Sequence, residues 1–105
     1  MENYLEEQIK KILSLGDNWD NEGAVAIKKE TADKAINYIQ IVKKKILEIS
    51  GLELKENPHI LPGPCGSIDL EWQTAEYHLL VNIPLGSELP DYSAKVKNKE
   101  YKGIF

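Results

Sequence analysis

The hydrophobic periodicity of this chain predicts an α+β domain, with two N-terminal helices packed on one face of a three- to five-stranded antiparallel meander. Apolar residues recur at steps of three and four over residues 3–15 and again over residues 31–50. From residue 67 onward they alternate singly, as in a strand with one buried face. That order of periods, helical twice and then alternating, gives helix, helix and meander. At 105 residues the chain has one domain's length. With no internal repeat or linker in the pattern, residues 1–105 are expected to form a single α+β domain.

The first helix places Leu5, Ile9, Ile12 and Leu13 on one stripe. Glu6 precedes Lys10 by four residues, and Glu7 precedes Lys11, the favourable pair order on an exposed face. Gly16 is expected to stop it by taking a positive φ. The connector over residues 16–29 is rich in Asp, Asn and Gly, which accept tight turns. Trp19 stands alone in that polar loop and is expected to plug into the core as an anchor. The long helix, Thr31 to Ser50, aligns Ala32, Ala35, Ile39, Val42, Ile46 and Ile49, with Ile36 widening the stripe. Thr31 suits the N-cap and Asp33 the first turn; Lys43, Lys44 and Lys45 suit the C-terminal half, and Ser50-Gly51 closes it. Tyr38, Ile41 and Leu47 fall outside the stripe, so a second side of this helix should be covered by helix one or by another chain.

Pro58, Pro62 and Pro64 limit His59-Ile60-Leu61 to a short edge strand. Ser67 to Trp72 alternates strictly, and Tyr77 to Ile83 continues the pattern beyond a turn at Thr74-Ala75. Pro84 ends that strand, Leu85 to Pro90 is a turn, Tyr92 to Val96 alternates again, and Glu100 to Phe105 can add a last strand. A loop centred on Thr74-Ala75 pairs Trp72 with Tyr77, Leu70 with Leu79 and Ile68 with Val81. The core face then holds these residues, and the other face holds Ser67, Asp69, Glu71, His78 and Asn82, with Leu80 as the exception.

Composition narrows the function classes. All thirteen basic residues are Lys, there is no Arg, and seventeen acids leave a net charge of −4. A nucleic-acid reader would show a basic face and lean on the guanidinium fork, so nucleic acid is not expected as a partner. No apolar run approaches the ~20 residues of a membrane span, and the acidic start Met1-Glu2-Asn3-Tyr4-Leu5-Glu6-Glu7 is unlike a signal peptide. The single cysteine fits a reducing compartment, so a cytoplasmic location is expected. Residues 1–23 carry six acids and two lysines, whereas residues 95–105 carry four lysines and one acid. Those ends can attract one another within the fold or between subunits. The simpler reading is that Lys95, Lys97 and Lys99 guard an edge strand.

Three places carry chemistry-bearing residues. In the expected hairpin register Glu71 lies opposite His78, with Asp69 its diagonal neighbour. Two carboxylates around an imidazole suit general acid–base work or a metal, and equally a solvent-facing ion pair. Cys65, in the loop before the strand, is a nucleophile candidate if His59 or His78 is near, although no cation or helix start adjoins it. Asp17, Asp20 and Glu22 surround Trp19, but Trp19 and Glu22 occupy the positions where a calcium loop needs a ligand and a glycine. Asp20 is therefore expected to bond backbone amides of its own turn, with Gly23 supplying the positive φ. No metal or other cofactor is expected.

Asn18-Trp19-Asp20-Asn21-Glu22-Gly23-Ala24 between two helices, followed by Gly66-Ser67-Ile68-Asp69-Leu70-Glu71-Trp72, resembles a family of small uncharacterised prokaryotic proteins. That family carries a Trp-Asp-Gly-x-Gly-Ala loop and a Gly-Gly-Ile-x-Leu-Glu-Trp strand. The likeness covers roughly residues 5–83 and departs from the pattern at Asn21 and Ser67. It implies a shared fold and a shared surface at the motif residues Trp19, Asp20, Gly23, Glu71 and Trp72, and brings no established activity. The leading expectation is a small binding or protein-interaction module that forms a homodimer through the long helix or an edge strand. The alternatives are a small hydrolase or metal-dependent enzyme using Asp69, Glu71 and His78, with Asp20 brought in from the loop, and an antitoxin-like accessory protein.

Overall fold

The computed structural model describes residues 2–105, with side chains from Tyr4 onward. Helices α1 (Glu2–Leu13) and α2 (Lys29–Ser50) precede five strands: β1 (His59–Pro62), β2 (Ile68–Gln73), β3 (Tyr77–Ile83), β4 (Asp91–Val96) and β5 (Lys99–Ile104). The strands form one antiparallel sheet in the order β1-β2-β3-β4-β5, with both helices on one face. The α+β meander read from the periodicity is the fold.

Alternation decides which face is covered. Ile68, Leu70, Trp72, Leu79, Val81 and Ile83 point inward and are buried. They meet Ala32, Ala35, Ile39, Val42 and Ile46 of α2 in one core. Burying each large aliphatic side chain contributes about 1.5–3 kcal/mol, so a polar substitution on this stripe would be costly. Trp72 is 2% exposed, and its indole N–H donates to the Glu56 carbonyl at 2.8 Å. That bond ties the α2–β1 connector to the sheet and satisfies the ring's only polar atom.

Several local expectations give way to different physics. Helix α1 ends at Leu13 rather than at Gly16. Ser14 closes it, its Oγ donating to the Lys11 carbonyl at 2.6 Å, and Gly16 takes no positive φ. Helix α2 begins two residues before Thr31. Lys28, in extended conformation, holds the N-cap position without a side-chain bond, and the Thr31 N–H already donates to the Lys28 carbonyl at 3.1 Å. Thr31 is thus inside the first turn and buried at 2% exposure. Gly51 ends the helix in the left-handed region at φ 75°, as expected of Ser50-Gly51.

The β2–β3 register is offset by two residues. Thr74 explains the offset: its hydroxyl accepts the N–H of Glu76 and Tyr77, and its own N–H donates to the Tyr77 carbonyl. This local turn centres on Ala75-Glu76 and extends β2 to Gln73. Ile68 therefore pairs with Ile83, Leu70 with Val81, Trp72 with Leu79 and Gln73 with His78. An even offset keeps every side chain on its expected face.

The two edges of the sheet differ. Gln8 of α1 lies along β1, its Nε2 donating to the Pro58 carbonyl at 3.2 Å and its Oε1 accepting the Ile60 N–H at 2.8 Å. Pro62, the last residue of β1, has no N–H to offer. On the far side, β5 has β4 as its one neighbour. Across that pair the Tyr92 ring covers Gly103, where an added Cβ would sit 2.7 Å from the phenol oxygen. Phe105 then packs between Tyr92 and Tyr38, tilted against the first and edge-on to the second, with centroids at 5.0 and 5.9 Å, and docks this side onto α2.

Candidate functional site

The outer, helix-free face of the sheet collects the polar strand residues. Its rows run His59, Glu71, Leu80, Ser93, Lys102 and, one step along, Gln73, His78, Lys95, Glu100. Glu71 is therefore opposite Leu80, not His78, and His78 is its diagonal neighbour. The two side chains nevertheless reach each other, His78 Nε2 lying 2.8 Å from Glu71 Oε2. A diagonal distance of about 7–8 Å is within reach of long side chains. Asp69 departs from expectation: it pairs with Asn82, whose Nδ2 donates to Asp69 Oδ1 at 2.9 Å. The offset register carries it away from the imidazole, so the expected trio is a Glu–His pair beside a separate Asp–Asn pair.

His59 is the residue that the hairpin argument missed. It is directly opposite Glu71 on β1, so both histidines of the chain flank one glutamate. The expected short edge strand at His59-Ile60-Leu61, read in antiparallel register with β2, was the available signal. The ring of His59 turns away to the edge, however, with Nδ1 3.0 Å from the Tyr4 hydroxyl. Among the described residues, no group of three His, Cys, Asp or Glu side chains is placed to hold a metal ion.

A shallow cleft of about 510 Å³ adjoins His78, lined chiefly by Thr74, Glu76, Tyr77, His78, Lys95 and Lys97. It lies between the β2–β3 and β4–β5 turns, and its charges are mixed in sign. Burial, then the Glu56 and Glu76 carboxylates, hold the Tyr77 phenol above the ordinary tyrosine value. Every buried side-chain nitrogen and oxygen among the described residues has a hydrogen-bond partner. No orphaned group therefore points to a missing ligand.

The Trp19 loop lies elsewhere. Val25 bridges to Cys65, and the Val25 N–H donates to the Pro64 carbonyl. This fastens the loop to the end of the sheet where Ile68 pairs with Ile83. Glu71 and His78 sit toward the other end, and five strand residues at ~3.3 Å each separate the ends by roughly 16 Å. Asp20 uses Oδ1 on the N–H groups of Glu22 and Ala24, as expected, and Gly23 takes φ 85°. Asp17 accepts from the Ala26 N–H, and Asn18 from the Gly23 N–H. Asn18 and Asn21 adopt φ near 60°, which asparagine tolerates better than most residues. Trp19 does not plug into the core. It is half-buried outside the core cluster, its indole N–H donating to the Val25 carbonyl at 3.4 Å. The loop's own side chains already staple its backbone, so the ring is not needed as an anchor. Cys65 is an exposed free thiol at this same end, and both histidines lie toward the other. Neither is within reach to activate it.

Three backbone carbonyls converge on Lys34 of α2: those of Pro84, Gly86 and Glu88, at 3.2, 3.0 and 2.7 Å from Nζ. This use of all three ammonium protons fastens the β3–β4 turn to the helix, and nothing in the pattern of the sequence announced it. No known protein family, curated protein or solved structure matches this chain. No helix among the described residues is long and apolar enough to cross a membrane.

Proposed function

We propose that this protein is a small protein-interaction module of the cytoplasm that works as a homodimer. One observation carries the reading. Helix α1 lies on the Ile36 side of α2, leaving Ile41 at 46% exposure on the flank next to Tyr38 and Phe105. That flank, with Ile41 set among Lys44, Lys45 and Glu48, is the side of the long helix we assign to another chain, and Phe105 puts it on the β5 side of the molecule. The motif residues Trp19, Asp20, Gly23, Glu71 and Trp72 do not share one surface, since the Trp19 loop lies at the other end of the sheet from Glu71 and Trp72 is buried, so the reading does not draw on them. Trp72 and Asp20 have structural work that accounts for them, and partnership with nucleic acid is not part of the proposal. Gel filtration with light scattering tests the reading. A mass near twice 11.9 kDa is expected, and a strict monomer at tens of micromolar overturns it.

The 2.8 Å contact between His78 and Glu71 favours a second reading, an acid–base enzyme acting at the adjoining cleft. A carboxylate that orients an imidazole is a common half of such chemistry. Here Asp69 and Asp20 are drawn elsewhere, and Cys65 is at the far end. A thermal-shift screen with divalent metals tests the metal form of this reading, and the absence of any shift counts against it.

A further inference from the structure

We infer that the dimer proposed above forms through the open edge of β5, a second copy adding its own β5 antiparallel across a two-fold axis at Tyr101. The inference rests on the homodimer reading and names its surface and register.

The hydrogen-bonding parity of β5 follows from its turn. Lys97 and Asn98 have φ 50° and 68°, and Val96 pairs with Lys99 around them. This is a two-residue hairpin loop with both central residues at positive φ, whose flanking pair exchanges hydrogen bonds. Alternation then turns the backbone groups of Lys99, Tyr101 and Gly103 toward β4, and those of Glu100, Lys102 and Ile104 outward. The Phe105 N–H donating to the Pro90 carbonyl at 2.9 Å continues the same parity. The outward N–H and C=O groups of β5 thus form a strand-length ladder. On β1 the equivalent N–H groups are taken by Gln8 at Ile60 and absent at Pro62, and Gln8 also covers the Pro58 carbonyl.

Charge selects the register. Lysines on an edge normally discourage pairing, but β5 alternates Glu100 and Lys102 on the same exposed face. With Tyr101 on the two-fold axis, Glu100 faces Lys102 of the partner subunit, and the pair occurs twice. A shift of the axis to Lys102 places lysine against lysine, and a shift to Glu100 places glutamate against glutamate. Like charges directly opposite are unfavourable and unlike charges favourable. Edge lysine here specifies a register instead of forbidding all of them. The isologous arrangement also closes at two copies, and it brings the exposed Ile41 flank of each α2 toward the seam.

The opposite charges at the two ends of the sequence play no part in this arrangement, which leaves the acidic α1 of each copy on the outer side of the dimer. Helix α1 lies against β1, and the lysine-rich end is at β5. Four strand spacings of ~4.8 Å keep them roughly 19 Å apart within one chain. Of the three lysines expected to guard an edge, Lys95 is on β4 and Lys97 in the turn, and Lys99 alone is on β5.

Charge reversal tests the proposal on the full chain. Lys102→Glu faces Glu100 twice across the seam, whereas its neighbour on β4 is the neutral Ser93. Light scattering over a dilution series is expected to show the dissociation constant rising roughly tenfold for K102E. The same is expected for E100K, whose new lysine also meets Lys95 of β4; in a Lys95→Ser background, which removes that contact, the double variant E100K/K102E should return to within about threefold of its own parent. Circular dichroism confirms that each variant is folded. A wild-type monomer overturns the homodimer reading itself. A wild-type dimer that K102E leaves unchanged, or that the double variant does not restore, overturns the edge and register alone. Assembly beyond two copies indicates head-to-tail contact and also overturns the two-fold pairing.

Discussion

Truncating Gln8 to alanine tests whether the β1 edge is closed by one side chain. The substitution removes two bonds, 3.2 Å to the Pro58 carbonyl and 2.8 Å from the Ile60 N–H. Both lie in a partly buried setting. Each such bond contributes a net ~0.5–1.5 kcal/mol, and alanine's better helix propensity returns a few tenths. The expected loss is therefore about 0.7–2.7 kcal/mol, which for a chain of this size corresponds to a fall in Tm of roughly 3–13 °C. Urea unfolding followed by circular dichroism measures it, with the midpoint lowered and the slope unchanged. Gln8→Glu keeps the acceptor for Ile60 but sets a carboxylate oxygen against the Pro58 carbonyl, so its cost should be at least that of alanine. Hydrogen exchange adds a local readout: the Ile60 amide should exchange faster in Q8A, while the β3 amides hold. A Q8A protein within about 0.5 kcal/mol of the parent, with Ile60 still protected, would refute the capping argument.

Two further outcomes follow from other contacts. Lys34→Met keeps the stem but removes the ammonium from the three carbonyls of the β3–β4 turn; a loss of about 1–2 kcal/mol is expected, together with faster proteolysis of residues 84–90. The raised Tyr77 phenol gives an alkaline signature. Below the unfolded value near 10 the phenol is neutral in both states; above it the unfolded chain ionises first, so stability falls as pH rises through and beyond that point. In Tyr77→Phe the fall in urea midpoint between pH 9 and pH 11 should be smaller than in the parent.

The fold was legible because it rests on period. Ile68, Leu70 and Trp72 alternate, and Ala32, Ala35, Ile39, Val42 and Ile46 follow a helical stripe, so burial alone placed two helices on one sheet face. What escaped were features decided by single polar atoms. The Thr74 hydroxyl moved the hairpin by two residues, which kept the faces but replaced an expected Asp69–Glu71–His78 cluster with two separate pairs. Gln8 and Lys34 are ordinary polar residues on helices, and only tertiary placement gives them a sheet edge or a turn to hold. Trp19 was misplaced because a large ring suggests an anchor, whereas Asp17, Asn18 and Asp20 bind the loop's own amides.

The central claim is that one edge of this sheet is closed within the chain and the other is closed by a second copy. Amide hydrogen exchange across a dilution series tests it most directly. Protection at Glu100 and Lys102 should rise with protein concentration, while protection at Ile60 stays constant. Exchange at those two β5 amides that is fast and independent of concentration, from the lowest to the highest, would contradict it.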